Sequence, residues 1–317
     1  MNILILCAGR RVKTIQYFKK ALEPIGGAVF AADMNTYAPA MHVAEASFIV
    51  SEMTDIHYIE DILRICKDQK VDAVVVSMDF ELELIAANKS RFDEIGVTPL
   101  ISSKAVIETS ANKFFLYNFL IDKGIPTVPT YKDAEEALNA VANKEFSYPF
   151  IMKPVSGSTS IGFALLQQEK DFIGCPENMV FQPYFKDKEF GVDAYIDMWT
   201  GELVNLFIKE KLRMRSGQTD QSISVHNEEI EQLVINLVKH MDFRGPIDID
   251  IFQYEQKFYI SEVNPRFGAG YPHAHECGVN FPDYIINNIA GTPNDSYTGF
   301  SYEEGKVMMK YDEIMIV

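Results

Sequence analysis

The densest chemistry in the chain lies in Tyr259-Ile260-Ser261-Glu262-Val263-Asn264-Pro265-Arg266, which sets a carboxylate, an amide and a guanidinium on every second residue. Alternate side chains of an extended strand share a face, so Glu262, Asn264 and Arg266 project together. Upstream, Gly245-Pro246-Ile247-Asp248-Ile249-Asp250-Ile251-Phe252 does the same with two carboxylates, and Glu255-Gln256-Lys257 between the runs reads as a hairpin turn. Pairing the strands brings Asp250 opposite Glu262 and Asn264. All-oxygen ligands suit Mg²⁺ or Mn²⁺, whose remaining positions go to phosphate and water. Arg266 beside them needs an anion, and a nucleotide phosphate is the natural one. The plainer reading is a hairpin with acids on its wet face, against which stands the Asn-Pro-Arg adjoining the acid.

A second constellation is Lys153-Pro154-Val155-Ser156-Gly157-Ser158-Thr159-Ser160-Ile161-Gly162. The backbone of Ser156, Gly157, Ser158 and Ser160 can approach phosphate oxygens closely while Lys153 supplies charge. A Walker loop is excluded, because no Gly-Lys-Ser/Thr closes it. Alone, the segment equally reads as a hairpin tip; beside the acidic hairpin it reads as a phosphate flap spanning Gly157 to Gly162. A third is Gln182-Pro183-Tyr184-Phe185, an extended hinge whose backbone could meet an adenine edge, followed by Glu189, which could accept from ribose hydroxyls. The alternative there is an ordinary connection between domains.

The elements that position these groups change character along the chain. Asn2–Ala8, Ala28–Asp33 and Ala73–Ser77 are apolar runs without alternation, separated by helical patterns over Val12–Leu22 and Tyr58–Gln69. Such runs indicate a parallel sheet covered on both faces. Ser110-Ala111-Asn112-Lys113 caps a helix that Gly124-Ile125-Pro126 ends. Short strands at Phe150–Pro154, Phe163–Leu166 and Met179–Gln182 then suggest a small antiparallel sheet. Longer strands follow at Phe190–Met198 and Gly201–Lys209, with a helix over Glu228–His240 before the acidic hairpin. The fold class is α/β followed by α+β.

The chain has 317 residues, a formal charge of −16 and four scattered cysteines without a Cys-x-x-Cys pair. These features speak against nucleic-acid and anionic-membrane partners, a disulfide framework and a structural zinc site. With no apolar run of spanning length, a soluble cytoplasmic protein is expected. On the substrate side, Lys209, Lys211, Arg213 and Arg215 read either as cations for a phosphate or carboxylate, or as a solvated basic strand. Gly268 to Glu276, with His273 and His275, follows the metal motif; zinc is disfavoured for want of a third soft ligand. Gly9-Arg10-Arg11, Asp33 and Asp79-Phe80-Glu81 stand where strands of the first domain end, the usual crevice of open α/β sheets, although a Rossmann dehydrogenase is disfavoured by the missing Gly-x-Gly-x-x-Gly.

Lys113, the Lys153 strand and its loop, the Gln182-to-Glu189 spacing, Asp250 and Glu262-Val-Asn264-Pro-Arg266 follow one another as in the ATP-grasp superfamily, which the chain resembles along its whole length. The nearest pattern is the ATP-grasp portion of carbamoyl phosphate synthetase large subunits; D-alanine:D-alanine ligase and biotin carboxylase are more distant. The resemblance implies a Rossmann-like pre-ATP-grasp domain (1–108), a lid subdomain (109–185) and a C-terminal catalytic subdomain (186–317). It further implies that Lys113 and Lys153 contact nucleotide phosphates, that Gln182, Pro183, Tyr184 and Phe185 read adenine, and that Glu189 holds the ribose. Asp250, Glu262 and Asn264 would bind Mg²⁺, or Mn²⁺, at ATP, while Arg266 steadies the transferring phosphoryl group. Asn112 stands where Asp is commoner, Gln182 where Glu is commoner, and Asp248 duplicates the carboxylate of Asp250. The implied activity is an ADP-forming ligase joining a small carboxylate to an amine or thiol through an acylphosphate. Alternatives are a bicarbonate-phosphorylating step of the carbamoyl phosphate synthetase kind and a non-catalytic ATP-binding regulator. A homodimer is compatible with the resemblance.

Overall fold

In the computed structural model of the chain, which describes residues 1–157 and 162–317, the N-terminal strands β1 (Asn2–Ile5), β2 (Ala28–Asp33), β3 (Ala46–Ile49), β4 (Ala73–Val75) and β5 (Thr98–Leu100) form a parallel sheet ordered β3-β2-β1-β4-β5. Helices α1 (Val12–Leu22), α2 (Tyr58–Asp68), α3 (Asp79–Ala87), α4 (Lys89–Asp93) and α5 (Lys104–Ala111) complete this part. The near-continuous apolar strands are explained by burial on both sides. Ile3, Ile5 and Val75 pack with Ile15 and Phe18 of α1, whereas Leu4, Leu6 and Val74 pack with Ile62, Cys66 and Leu82 on the other face. The edge strands β3 and β5 escaped sequence reading for physical reasons. Strand β3 is only half buried and β5 is three residues long with Pro99 in its middle, so neither presents an apolar run.

Next come α6 (Lys113–Asp122) and α7 (Ala134–Ala142), then β6 (Phe150–Pro154), β7 (Ala164–Leu166) and β8 (Met179–Pro183), an antiparallel sheet ordered β7-β6-β8. Phe150, Phe172 and Phe181 form its core with Ala137 of α7. Helix α6 packs elsewhere: Leu116 and Leu120 join Ile249, Ile251 and Val263 in the core of the C-terminal sheet.

That sheet holds six strands ordered β13-β12-β9-β10-β11-β14, namely β9 (Glu189–Ile196), β10 (Leu203–Arg215), β11 (Gln218–Ser224), β12 (Gly245–Tyr254), β13 (Lys257–Asn264) and β14 (Val307–Met309). Helix α8 (Glu228–His240) covers one face through Ile230, Val234 and Leu237. Helices α9 (Tyr271–Glu276) and α10 (Phe281–Ile289) pack with α1, so Tyr271, Phe281 and Ile285 share a core with Ile15 and Phe18. The hairpin β12–β13 turns over Glu255 and Gln256, both with positive φ (47° and 63°), the backbone that a two-residue turn matching strand twist requires. Its register pairs Asp250 with Glu262 and Asp248 with Asn264, then shifts so that Ile251 faces Ile260 and Ser261 is bulged. Strict alternation would put Ile260 beside Glu262. The bulge sends Ile260, fully buried, into the apolar core while Glu262 stays on the opposite face.

Asn112 caps α6 through its side-chain oxygen, which accepts from the backbone N–H groups of Phe114 and Phe115 at 3.0 Å each, and the next N–H, that of Lys113, donates to Val155. Asn112→Ala is expected to cost about 1 kcal/mol in urea unfolding, with Asn112→Asp restoring most of it. An unchanged midpoint in the alanine variant would show that the cap contributes nothing.

Candidate active site

On one face of the six-stranded sheet the strand register gathers a row of charges. Asn264, Asp248 and Asp193 lie side by side across β13, β12 and β9, and Glu262, Asp250, Gly191 and Lys209 form the next row across four strands. The opposite face at the same level is Val263, Ile249, Val192 and Ile208, all apolar and buried. The alternation expected from the acidic hairpin thus extends over four of the six strands.

Each buried carboxylate meets a cation from a different element. Lys153, on the small sheet, donates to Glu262 Oε1 at 2.8 Å, and Lys113, at the start of α6, lies 3.8 Å from the same oxygen while donating to the Gly157 carbonyl at 2.7 Å. Burial alone would raise the Glu262 carboxyl, but the two lysines outweigh it and bring it down to about 2. Lys211 bridges Glu189 at 2.7 Å and Asp250 at 2.6 Å. Burial works against its charge, and the two carboxylates overcome this and raise its pKa. Lys209 and Asp193, both almost fully buried, form a closed pair. Asp248, buried beside Asp250 and Asp193, is pushed up to about 7 even with Arg266 3.7 Å away. Glycines make room for this crowding. A Cβ on Gly268 would stand 2.5 Å from Asp248 Oδ1, and one on Gly270 would stand 2.8 Å from Lys209 Nζ.

Of the residues singled out in the sequence, the structure brings together Lys113, Lys153, Glu189, Asp250, Glu262, Asn264 and Arg266. Ser158 and Ser160, with most of the expected flap, lie outside the described residues. The hinge residues Gln182 to Phe185 run from the last two residues of β8 into the next segment, where the Gln182 carboxamide donates to Thr130 Oγ1 at 2.8 Å and the Tyr184 N–H to the Pro149 carbonyl. The Phe185 ring is buried and stacks on Tyr254 with centroids 4.3 Å apart. The Gln182 and Phe185 side chains and the Tyr184 N–H hold the hinge in place. The basic run divides: Lys209 and Lys211 are inside the site, whereas Arg213 and Arg215 are exposed and pair with Asp220 and Asp312. His273 is hydrogen-bonded at both ring nitrogens, to Ser222 Oγ and the Lys306 carbonyl, and His275 stacks on Tyr17, so the two imidazoles serve separate neighbours.

Sequence reasoning missed two features. Asp193 continues the Glu189-Gly191 alternation inside an apolar strand, a signal that was present. The other is long-range: Asp79, the first residue of α3, receives both Nε and Nη2 of Arg266, at 2.6 and 2.9 Å. Beneath it the fully buried Glu81 accepts from Tyr58 O–H and lies against Cys7.

Residues 110–270 match the family model described as an ATP-grasp domain, and residues 3–100 match a PylC-like, N-terminal domain. The chain belongs to the ATP-grasp family. Among curated relatives, the carbamoyl phosphate synthase arginine-specific large chain of Halalkalibacterium halodurans is 26% identical over 231 residues, 68% of this chain and 22% of that protein. The carbamoyl phosphate synthase large chain of Pseudothermotoga lettingae is 25% identical over 253 residues, again 22% of its length, so the chain spans about a fifth of these relatives. Among solved structures, the biotin carboxylase domain dimer of Hydrogenobacter thermophilus 2-oxoglutarate carboxylase, in complex with MgADP, ADP and bicarbonate, superposes with a TM-score of 0.76 at 18% identity, covering 96% of this chain and 73% of that one. N5-carboxyaminoimidazole synthetase from Staphylococcus aureus gives 0.73 at 18% identity, covering 97% and 81%. At these identities the likeness is one of fold. No helix among the described residues is long and apolar enough to cross a membrane.

Burial pushes Glu81 up to about 7, so its neutral form is favoured in the fold. Its contribution is fully present below the ordinary carboxyl pKa and is lost as pH rises through 7. Between pH 5 and pH 8 the unfolding free energy is expected to fall by on the order of 3 kcal/mol from this group, with Asp248 adding a slope of the same sign. Glu81→Gln should remove the Glu81 part, as read by urea unfolding across that range; an unaltered slope would show that Glu81 does not titrate there.

Proposed function

We propose that the chain is an ATP- and Mg²⁺-dependent ligase that joins a small carboxylate to an amine or thiol through an acylphosphate, releasing ADP. The observation that carries this reading is the convergence of Lys113 and Lys153 on Glu262, within a face of oxygen donors and beside Arg266. Cations that can take phosphate oxygens and oxygens that can take a hard divalent ion are what phosphoryl transfer requires. The donor set fits Mg²⁺: Asp250, Glu262 and Asn264 offer hard oxygens, and the crowding of Asp248, Asp250 and Asp193 favours a cation among them. Those residues would hold the ion, which when bound supplies charge neutralisation at the β- and γ-phosphates.

The chain's own groups would act by position and charge. Lys153 and Lys113 would exchange Glu262 for phosphate oxygens, with Lys153 towards the α-phosphate. Backbone groups of Pro183 to Phe185 would meet the adenine, with Gln182 bracing the hinge, and Glu189, oriented by Lys211, would accept from ribose hydroxyls. Arg266 would offset charge on the transferring phosphoryl group. Ser156, Gly157, Ser158 and Ser160 would close over the phosphates and keep water from the acylphosphate. In this reading residues 1–108, 109–185 and 186–317 act as pre-ATP-grasp, lid and catalytic units. A second reading, bicarbonate as the phosphorylated carboxylate, is favoured by the carbamoyl phosphate synthase relatives and by the bicarbonate in the Hydrogenobacter structure.

A screen of small carboxylates and amines, bicarbonate included, for substrate-dependent ADP release tests both readings. Glu262→Gln is expected to abolish that release while leaving the circular dichroism spectrum intact; wild-type turnover would remove Glu262 from the site. ATP·Mg²⁺ or ADP·Mg²⁺ should stabilise the protein by about 2.7 kcal/mol at 100 times the dissociation constant, and NAD should not. Lys153→Met should lose most of that shift, and equal stabilisation by NAD and ATP would overturn the nucleotide assignment.

A further inference from the structure

Strand β13 is an edge of the six-stranded sheet, and the chain covers only part of it. Ile260 gives its backbone N–H to the Pro126 carbonyl and receives the Val128 N–H on its own carbonyl, both at 3.0 Å. Alternate residues of a strand turn these groups to the same side, so Phe258 presents its N–H and carbonyl along the stretch between Pro126 and the turn at Glu255-Gln256. Its cross-strand neighbour Gln253 gives its own N–H to the Lys188 carbonyl, on the far side of β12. Among the described residues the two backbone groups of Phe258 therefore have no partner. A groove of about 390 Å³ opens at this place, lined by Phe258, Tyr259, Lys257 and Pro126 and by Glu229 and Leu233 of α8. That volume lies in the range of small-molecule sites, roughly 300–1,000 Å³. Leu233 and the Phe258 ring form an apolar floor continuous with the core beneath α8. Glu229 and Lys257 are exposed, and among the described residues neither forms an ion pair. One groove thus offers a carboxylate, an ammonium, a peptide N–H, a peptide carbonyl and an apolar floor.

We propose that this groove binds a free α-amino acid with an apolar side chain, and that its occupancy changes nucleotide affinity at the hinge. The ligand's carboxylate meets Lys257 and the Phe258 N–H, its ammonium meets Glu229 and the Phe258 carbonyl, and its side chain lies on Leu233 and the Phe258 ring. The open edge, from Lys257 to Tyr259, is about 10 Å long at roughly 3.4 Å per residue. An added strand of the usual roughly five or six residues is too long for it, whereas a single amino acid is not. The link to the nucleotide is the opposite face of the same strand. There the Tyr259 ring meets Phe185 edge-on, with centroids 5.5 Å apart, and Phe185 stacks on Tyr254 as the last residue of the hinge. Glu262 follows Tyr259 on the same strand. A ligand that fixes this edge therefore bears on the hinge through packed rings. The coupling rests on the nucleotide reading of the hinge; the groove itself does not.

Calorimetric titration of the full chain with L-leucine tests the site, with N-acetyl-L-leucine and L-leucinamide as probes that lack the ammonium and the carboxylate in turn. L-leucine should bind, and Glu229→Gln and Lys257→Gln should each weaken it at least about threefold. The Glu229 effect should vanish with N-acetyl-L-leucine and the Lys257 effect with L-leucinamide, as expected when each substitution removes one partner of one contact. Saturating L-leucine should change the dissociation constant of Mg²⁺·ADP at least about fivefold. The leucine concentration that gives half of this change should rise in either variant by the factor measured for leucine binding, while the Mg²⁺·ADP affinity of both variants without leucine stays at the wild-type value. Absence of leucine binding, or binding indifferent to either substitution, which would put the amino acid elsewhere on the protein, overturns the site. Leucine binding that leaves Mg²⁺·ADP affinity unchanged overturns the coupling. Wild-type protein that does not bind Mg²⁺·ADP would refute the nucleotide reading of the hinge and the coupling with it, and the dependence of leucine binding on Glu229 and Lys257 would still decide the groove.

Discussion

Carboxylates crowded on one face of a sheet repel one another and lose water, so the fold around them must bring cations within hydrogen-bond reach. That requirement organises the protein. Glu262 is held by lysines from α6 and the small sheet, Glu189 and Asp250 share a lysine from β10, and Arg266 is held by a carboxylate from helix α3. No element owns a complete set of partners. The packing of the parts against one another and the balancing of charge at the site are one event, and a loss of either leaves buried ions unpaired, at several kcal/mol each.

The same constraint explains why the site's backbone is so plain. Gly191 separates Glu189 from Asp193 on β9, and a Cβ there would press on the stems of both Lys209 and Lys211 at 3.1 and 3.2 Å. Gly268 and Gly270 play the same part above Asp248 and Lys209. Lysine stems are long and apolar, so they can cross the glycines and deliver their charge from a strand two positions away. Once phosphates and a divalent ion arrive, these cations exchange one oxygen anion for another without moving far, which limits the reorganisation that binding must overcome.

Much of this could be read along the chain, and the boundary of what could is instructive. The apolar strands β1, β2 and β4, the helices α1 and α8 and the hairpin β12–β13 announce themselves because each is buried on a face whose period matches its geometry. The edge strands β3, β5 and β14 do not, since an edge needs few apolar contacts. Glu262, Asn264 and Asp250 were legible from their alternation, but their register was not, since the bulge at Ser261 sets Asp250 against Glu262 and leaves Asn264 opposite Asp248. The pairing of Asp79 with Arg266, 187 positions away, was not: each residue was visible as a candidate, but only the packing of one unit on another brings them face to face. Lys211 was visible as a cation, while its position between Glu189 and Asp250 depends on the β9–β10 register, which no turn signal in the sequence specifies.

The bulge at Ser261 gives the acidic hairpin a property like a reading frame. On the turn side of Ser261 and on the site side, the same strand face is served by residues of opposite parity, odd towards Tyr259 and even towards Asn264. Removing Ser261 itself would close the bulge and leave Ile260 and Glu262 adjacent on their present faces, whereas removing Tyr259 or Val263 would carry Ile260 into the charged row or Glu262 into the apolar core. A hydrophobic residue among ions or a carboxylate among aliphatics is expensive in either case. Away from Ser261 the hairpin therefore tolerates substitution far better than the loss of one residue, and its spacing is protected by the core beneath it as much as by the chemistry above.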